Sequence, residues 1–188
     1  MIRLLVITTG LDTGGAEKQL ALLLRNLRAE AFELAVVSLL SRGLVSDEIE
    51  AIGIPLWHLN LLRLVDVVPA YMCLRSAVRQ FQPDIIQGWM YHGNLAALMA
   101  SYMRRPRCPV VWGVRQALYE RRQEKRKTRV IIRLGAVSSR GVDTIVYNSK
   151  VARRQHEETG FSAVQGLSLI HISEPTRPLY ISYAVFCL

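Results

Sequence analysis

The sequence predicts an α/β protein with a parallel sheet flanked by helices. Short runs of consecutive apolar residues alternate with longer segments whose apolar residues recur at helical spacing. A continuous apolar run is typical of a strand buried on both faces, as in a parallel sheet. The length of 188 residues corresponds to one domain, and a hydrophobic content of 51% supports a substantial core.

The first strand, loop and helix set the pattern. Residues 3–8 form an apolar run that ends in Thr-Thr-Gly, and a glycine-rich loop follows at residues 10–15. In residues 16–27 the apolar side chains then recur at helical spacing. This order is the opening unit of a doubly wound sheet.

The same alternation continues to about residue 160 and predicts five more strands and five more helices. Pro55, near the start of the third strand, indicates an edge or first-residue position. Alternating elements at this spacing predict a parallel sheet. The strands are expected at residues 32–40, 54–59, 84–89, 109–113 and 144–148, and the helices at 46–51, 67–81, 93–103, 119–138 and 149–159.

The last 22 residues break this pattern, because they show no clear amphipathic period. They resemble the conceptual translation of sequencing-library DNA: a transposase-type adapter at 167–177, a variable index at 178–180 and a flow-cell primer at 181–188. A genuine apolar C-terminal strand is the alternative. We therefore predict one domain at residues 1–166 and a non-native tail at residues 167–188.

The formal net charge of +9 indicates an anionic partner, such as a membrane surface, a nucleotide sugar or nucleic acid. A solvated basic face is the alternative. The three cysteines are scattered, which argues against a zinc site or a disulfide framework and for a reducing compartment. The N-terminal apolar run lacks a cleavage site and is too short for a membrane span, so we interpret it as a buried strand.

The turn between the first strand and its helix contains Gly14-Gly15-Ala16-Glu17. Two glycines allow a ligand to approach the backbone closely. A helix that begins there offers unpaired N–H groups and the positive end of its dipole, which suits a diphosphate. The loop matches neither the dinucleotide-binding nor the Walker pattern, and a turn that only reverses the chain is the alternative.

Polar candidates also follow the later strands, where open α/β sheets bind their ligands. His92 and Asn94 follow the fourth strand, and the imidazole can hydrogen-bond a sugar hydroxyl or a phosphate. Arg115 follows the fifth strand and can bind a phosphate or carboxylate bidentately. The alternatives are a loop-bracing histidine and a surface ion pair. After the sixth strand, Asn148 or Ser149 is predicted to cap the next helix.

A basic helix is predicted before the sixth strand. Arg122, Arg126, Arg129 and Arg133 share one helical face, and apolar residues lie beside them. A basic amphipathic helix of this kind suits a membrane surface, and a solvated helix face is the alternative. Nucleic acid is not predicted as a partner, because no set of stacking aromatic residues accompanies the charge.

Taken together and in this order, the motifs resemble those of glycosyltransferase family 4. The resemblance implies a GT-B fold, in which two Rossmann-like domains face each other across a cleft, and it covers the N-terminal, acceptor-side domain. It runs from Arg3 to about Phe161. The matching stretches are Gly14–Glu17, Gln82–Asn94, Val111–Arg115 and Ile145–Ser149.

The resemblance also implies a function. Family members transfer a sugar from a nucleotide donor with retention, without a metal or other cofactor, often to lipid-linked acceptors or polysaccharides in cell-surface glycan synthesis. It places Gly14 and Gly15 by the donor diphosphate and the acceptor, and His92, as the catalytic residue, against the transferred sugar. Asn94 and Arg115 lie in matching stretches and are assigned to donor or acceptor binding.

The family's C-terminal domain, which carries most of the donor-binding groups, has no counterpart in these 188 residues. We therefore predict that the chain itself is inactive, because the transition state lacks much of its electrostatic stabilisation. A cytoplasmic location is implied, with peripheral attachment at the inner face of the plasma membrane left open. The alternative functions are a GT-B-type sugar-nucleotide epimerase and a membrane-surface binding module without catalysis.

Overall fold

A computed structural model describes residues 1–28, 32–118 and 126–168. In this part of the chain seven parallel strands form one sheet in the order β3-β2-β1-β4-β5-β6-β7. The first six strands keep the order of a Rossmann sheet, which confirms the predicted fold class. The strands are β1 (Ile2–Thr8), β2 (Phe32–Ser38), β3 (Leu56–His58), β4 (Ile85–Trp89), β5 (Val110–Val114), β6 (Thr144–Tyr147) and β7 (Gly166–Ser168).

Helices cover both faces of the sheet. Leu4 and Val6 of β1 point to the layer of α1 and α2, whereas Leu5 and Ile7 point to the layer of α3, α4, α5 and α6. Since all four side chains are buried, β1 is apolar along its whole length. The helices are α1 (Gly15–Arg28), α2 (Leu44–Ala51), α3 (Val67–Phe81), α4 (Met90–Ser101), α5 (Arg126–Ser138) and α6 (Lys150–Glu158), with 3-10 turns at Leu64–Asp66 and Ser139–Gly141.

Two elements differ from the sequence-based expectation. Helix α4 begins at Met90, three residues before the predicted start at Gly93, because Met90 takes a left-handed conformation (φ 66°) that turns β4 directly into the helix. Strand β7 was not predicted. It pairs with β6 and includes Leu167 and Ser168, the first two residues of the predicted tail. Residues 169–188 lie outside the described part, so their non-native origin stays a prediction.

The remaining elements follow the expected order. Strand β3 lies at the edge of the sheet, as Pro55 indicated. Helix α5 matches the second part of the helix predicted at 119–138, and residues 119–125 lie outside the described part. Within the described ranges, no helix combines the length and the apolar character needed to cross a bilayer.

Candidate functional site

The candidate site lies at the carboxyl ends of β1 and β4, the two neighbours between which the strand order reverses. In open α/β sheets a crevice forms at this point. Two helices begin there: α1 after a short loop, and α4 directly after Trp89, whose side chain does not cap it. The unpaired N–H groups of two helix starts make this edge of the sheet favourable for an anion.

The glycine turn at the start of α1 lies at this edge, and its two glycines differ. The carboxylate of Glu17 folds back over Gly14, so a Cβ at Gly14 would collide with it. A Cβ at Gly15 would meet nothing within 4 Å. Gly15 is therefore open to a ligand, whereas the place beside Gly14 holds a carboxylate to which the sequence analysis assigned no role.

The guanidinium of Arg115 is joined to the same turn through Trp89. Its central carbon lies 4.0 Å from the centroid of the Trp89 ring. The Trp89 indole N–H donates a hydrogen bond of 3.0 Å to the carbonyl of Ala16 in the first turn of α1. Asn148 in turn donates from its side-chain amide to the Arg115 carbonyl at 2.8 Å. Through these contacts, the carboxyl ends of β4 and β5 lie next to the start of α1.

His92 lies in the first turn of α4 and points to the other side of the sheet. Its exposed imidazole lines a pocket of about 290 Å³ between α3 and α4, together with residues such as Leu74 and Ala96. Desolvation by these surroundings lowers the pKa of His92 below 6.5. The ring is therefore neutral at physiological pH and can donate one hydrogen bond and accept another.

Asn94 is 2% exposed and braces two strands. Its amide donates to the Gly113 carbonyl at 3.3 Å, and its oxygen accepts from the Gly113 N–H at 3.2 Å. The helix approaches β4 so closely that a Cβ at Gly88 would lie 2.5 Å from the Asn94 Cα. The structure gives Asn94 a bracing contact, and a contact with donor or acceptor stays a prediction.

A buried histidine near the site was not singled out from the sequence. His156 is fully buried, and its Nε2 lies 2.9 Å from the Tyr91 hydroxyl. Its Nδ1 lies 2.7 Å from the Ala152 carbonyl, so Nδ1 carries the proton and Nε2 accepts from Tyr91. Gln116 donates to the same hydroxyl at 3.4 Å. The sequence did offer one indication that His156 is buried: it lies four residues after the apolar Ala152, so the two side chains share one face of α6.

The predicted membrane-surface arginines are only partly described. Arg129 and Arg133 are exposed on α5, and Val130, Leu134 and Val137 are exposed beside them. Arg126 is the first residue of α5, and Arg122 lies outside the described residues. As for metal ligands, the described ranges contain no group of three or more His, Cys, Asp or Glu side chains that could hold an ion.

The structure brings the glycine turn, His92 and Arg115 to one edge of the sheet but not to one point. Trp89, on which Arg115 stacks, belongs to the apolar cluster of α1 and α2. His92 faces α3 across the ends of the strands. The start of α4 joins the two sides, because Gly93 packs against the Ile7 carbonyl so tightly that a Cβ there would collide with it.

This fold and site define a Rossmann-like domain of the GT-B type. A model of glycosyltransferase family 4 matches residues 13–171, and the chain belongs to this family. Among curated proteins, no sequence relative was found.

Solved structures show the same fold at low sequence identity. HepE (Alr3699) of Anabaena, determined with UDP and glucose, has a TM-score of 0.72 and 17% identity, over 97% of this chain and 49% of HepE. The lipopolysaccharide outer core galactosyltransferase WaaB has a TM-score of 0.64 and 13% identity, over 89% of this chain and 45% of WaaB. A UDP-N-acetylglucosamine 2-epimerase has a TM-score of 0.58 and 12% identity, over 95% and 53%. The chain thus spans about half the length of these proteins.

Proposed function

We propose that this chain supplies the acceptor-side wall of the cleft of a retaining glycosyltransferase. The enzyme would move a sugar from a nucleotide donor to a lipid-linked or polysaccharide acceptor in cell-surface glycan synthesis. The observation that carries the proposal is the meeting of two helix starts at the β1–β4 crevice, with His92 on one side and Arg115 on the other. Membership of the family and the UDP and glucose held by HepE support a nucleotide-sugar ligand.

In this proposal, positive protein groups face the donor diphosphate and no metal takes part. The start of α1 at Gly15 offers N–H groups to the phosphates, and the stacked Arg115 offers a guanidinium. His92, neutral because its pKa is lowered, would hydrogen-bond a hydroxyl of the transferred sugar. Such contacts assist transfer to the extent that they strengthen as charge develops on the leaving diphosphate.

The proposed ligand contacts can be tested by NMR titration of the ¹⁵N-labelled chain with UDP-glucose. We expect the largest amide shifts at Gly14, Gly15, His92 and Arg115. Uridine serves as the control, because it lacks the diphosphate and should leave the α1 start unshifted. Shifts confined to the opposite edge of the sheet, around Gly141, would refute the assignment.

We also propose that the 188-residue chain is inactive by itself. It spans about half the length of HepE, so a transition state held from two sides would contact only one wall here. The test is to incubate the purified chain with UDP-glucose and to measure released UDP. Turnover at ordinary enzyme rates, on the order of 1 to 1,000 per second, would overturn this proposal.

A second candidate function is binding to an anionic membrane surface, and it rests on three helices of one layer, α3, α4 and α5, although α6 of the same layer carries Glu157 and Glu158. Helices α3, α4 and α5 contain no Asp or Glu, whereas α1 and α2 contain four. The three helices without acidic residues also expose apolar side chains, among them Met72, Met99 and Leu134. Arg75, Arg79, Arg129 and Arg133 are exposed among them. Basic and apolar groups on one face are typical of membrane-surface elements.

Vesicle sedimentation of the full chain tests this second function. We expect binding to phosphatidylserine-containing vesicles and little binding to pure phosphatidylcholine. Replacing Arg129 and Arg133 by Glu should weaken binding by more than tenfold, since each basic residue near such a surface contributes about 1 kcal/mol. The control is Arg25→Glu, an exposed position on α1 at the other face of the sheet. Equal losses in both variants would exclude a defined membrane face.

A further inference from the structure

The groove between α3 and α4 has an apolar end and a basic end. The apolar end is the pocket of about 290 Å³ that His92 lines. Of its eleven lining residues, nine are aliphatic or methionine, and the other two are Tyr71 and His92. A sugar ring placed among these nine apolar side chains would lose hydration without gaining matching hydrogen bonds, so that part of the pocket favours hydrocarbon, and the exposed His92 remains for a sugar hydroxyl. A methylene group is about as large as a water molecule, which occupies about 30 Å³, so the pocket holds on the order of ten methylenes.

The basic end is a second hollow of about 420 Å³ that shares Tyr71 and Met99 with the pocket. Arg75 and Arg105 line it, together with Tyr102 and Met103. In the described part of the chain, neither arginine forms an ion pair. Since α3 and α4 carry no acidic residue, an anion there meets attraction from two guanidinium groups.

We propose that this groove binds a single-chain anionic amphiphile, with its hydrocarbon chain in the apolar pocket and its headgroup at Arg75 and Arg105. Charge and polarity select this ligand. A neutral alcohol would leave the two arginines unused, and a small inorganic anion would leave the apolar pocket empty. Burial of each methylene contributes about 0.8 kcal/mol, so the chain supplies most of the affinity and the arginines supply selectivity.

The orientation follows from α4. His92 and Met99 lie seven residues apart on the helix, which corresponds to about 10 Å. Met99 adjoins the basic hollow, so the headgroup lies far from His92 and the end of the chain lies next to it. The amphiphile therefore occupies a site separate from the proposed diphosphate contacts at Gly15 and Arg115.

Binding is tested with the intact 188-residue chain and three probes, each used below its critical micelle concentration: decyl phosphate, decanol and inorganic phosphate. We expect decyl phosphate to shift the NMR signals of the His92 ring and the Met99 methyl group and to bind at least tenfold more tightly than decanol. Inorganic phosphate, which has no hydrocarbon chain, should leave the His92 ring unshifted. Equal affinity for decyl phosphate and decanol would overturn the role of the arginines.

Variants separate the two ends of the groove. Replacing both Arg75 and Arg105 by Ser should lower the affinity for decyl phosphate by more than tenfold, because each arginine contributes about fivefold. The affinity for decanol should not change. The matched control, Arg25→Ser on the opposite face, should change neither. Ala96→Leu and, independently, Ala70→Leu should fill the apolar pocket and abolish binding of both alkyl probes. Undiminished binding in a folded pocket-filled variant would refute the site.

Discussion

The guanidinium carbon of Arg115 lies 4.0 Å from the centroid of the Trp89 ring. Because the indole N–H of Trp89 is hydrogen-bonded to the Ala16 carbonyl, the stack is anchored to the start of α1. A guanidinium held over an aromatic ring loses less freedom when it binds an anion than a mobile side chain does. The arrangement therefore favours Arg115 as a preset anion contact beside the glycine turn.

If Arg115 contacts the donor diphosphate, Arg115→Ala should weaken UDP binding by about tenfold to a hundredfold, the usual effect of losing a charged hydrogen bond. The UDP affinity of Arg115→Lys should lie between those of the parent chain and Arg115→Ala, since lysine keeps the charge but lacks the planar fork. NMR titration measures both affinities. Arg140→Ala, an exposed change before β6 at the opposite edge of the sheet, is the control. Unchanged affinity in Arg115→Ala would remove Arg115 from the site.

Glu17→Gln should strengthen UDP binding several-fold. The Glu17 carboxylate lies over Gly14, where it repels an approaching diphosphate, and glutamine has nearly the same shape without the charge. The effect should decrease at high salt, because the charge is near solvent. Uridine, which carries no phosphate, should bind the two proteins equally. Weaker UDP binding in the variant would instead make Glu17 a direct ligand contact.

Alanine at Gly93 and alanine at Gly15 should have opposite effects on stability. The methyl group of Gly93→Ala would collide with the Ile7 carbonyl of the central strand, so this variant should lower the free energy of unfolding by about 1–3 kcal/mol. Gly15→Ala meets open space and improves helix propensity, so it should be neutral or stabilising by up to about 1 kcal/mol. Urea denaturation measures both.

Gly15→Ala also tests the ligand site. If a ligand approaches the α1 start, the methyl group of Gly15→Ala should reduce UDP affinity although the fold is intact. Gly141→Ala, where a Cβ has only ordinary contacts far from this edge, serves as the binding control. Equal UDP affinity for Gly15→Ala and the parent chain would argue against close backbone contact at this turn.

The stability of the protein should fall in mild acid because of His156. Burial lowers the pKa of this imidazole below 6.5, so the folded state holds it neutral while the unfolded chain takes up a proton. As pH falls below about 6.5, the unfolded state binds more protons, and stability decreases by up to 1.36 kcal/mol for each pH unit until the folded pKa is reached. Above about 6.5 this contribution is constant.

Urea denaturation at a series of pH values measures this dependence. His156→Gln can still accept from the Tyr91 hydroxyl but does not titrate, so its stability should be flatter between pH 5 and 7. His92→Gln is the comparison: its pKa is lowered in the same direction, but the ring is exposed, so its replacement should flatten the slope less than His156→Gln does. The role of His156 is contradicted if its replacement leaves the slope of the parent protein unchanged.

The strand and helix order was predictable because each buried strand is apolar along its length, as β1 shows. The start of α4 was not, since Trp89-Met90-Tyr91 gives no turn signal and helix propensity does not reveal a left-handed methionine. Strand β7 was not predicted because two of its residues, Leu167 and Ser168, fall in the segment that was assigned to the non-native tail. Its pairing with β6 is a tertiary contact, so the local sequence carries no record of it.

The candidate site was predictable to the level of the strand ends. The glycine turn, His92 and Arg115 come to one edge because the carboxyl ends of parallel strands share that edge. What the sequence could not show is side-chain direction: Arg115 stacks on Trp89, whereas His92 faces α3. Asn94, predicted to bind donor or acceptor, also bonds the Gly113 backbone, a contact between residues 19 apart that the sequence does not reveal.

The direct passage from Trp89 to Met90 also restricts how this region can vary among related proteins. One residue inserted there would rotate the first turn of α4 by about 100° and turn His92 away from its pocket. The connection between β1 and α1 can vary in its last part, after the buried Leu11 whose carbonyl accepts from the Val45 N–H, because it ends in the open Gly15. Related proteins should therefore keep the spacing from the tryptophan to the histidine fixed, while the lengths of their β1–α1 connections differ.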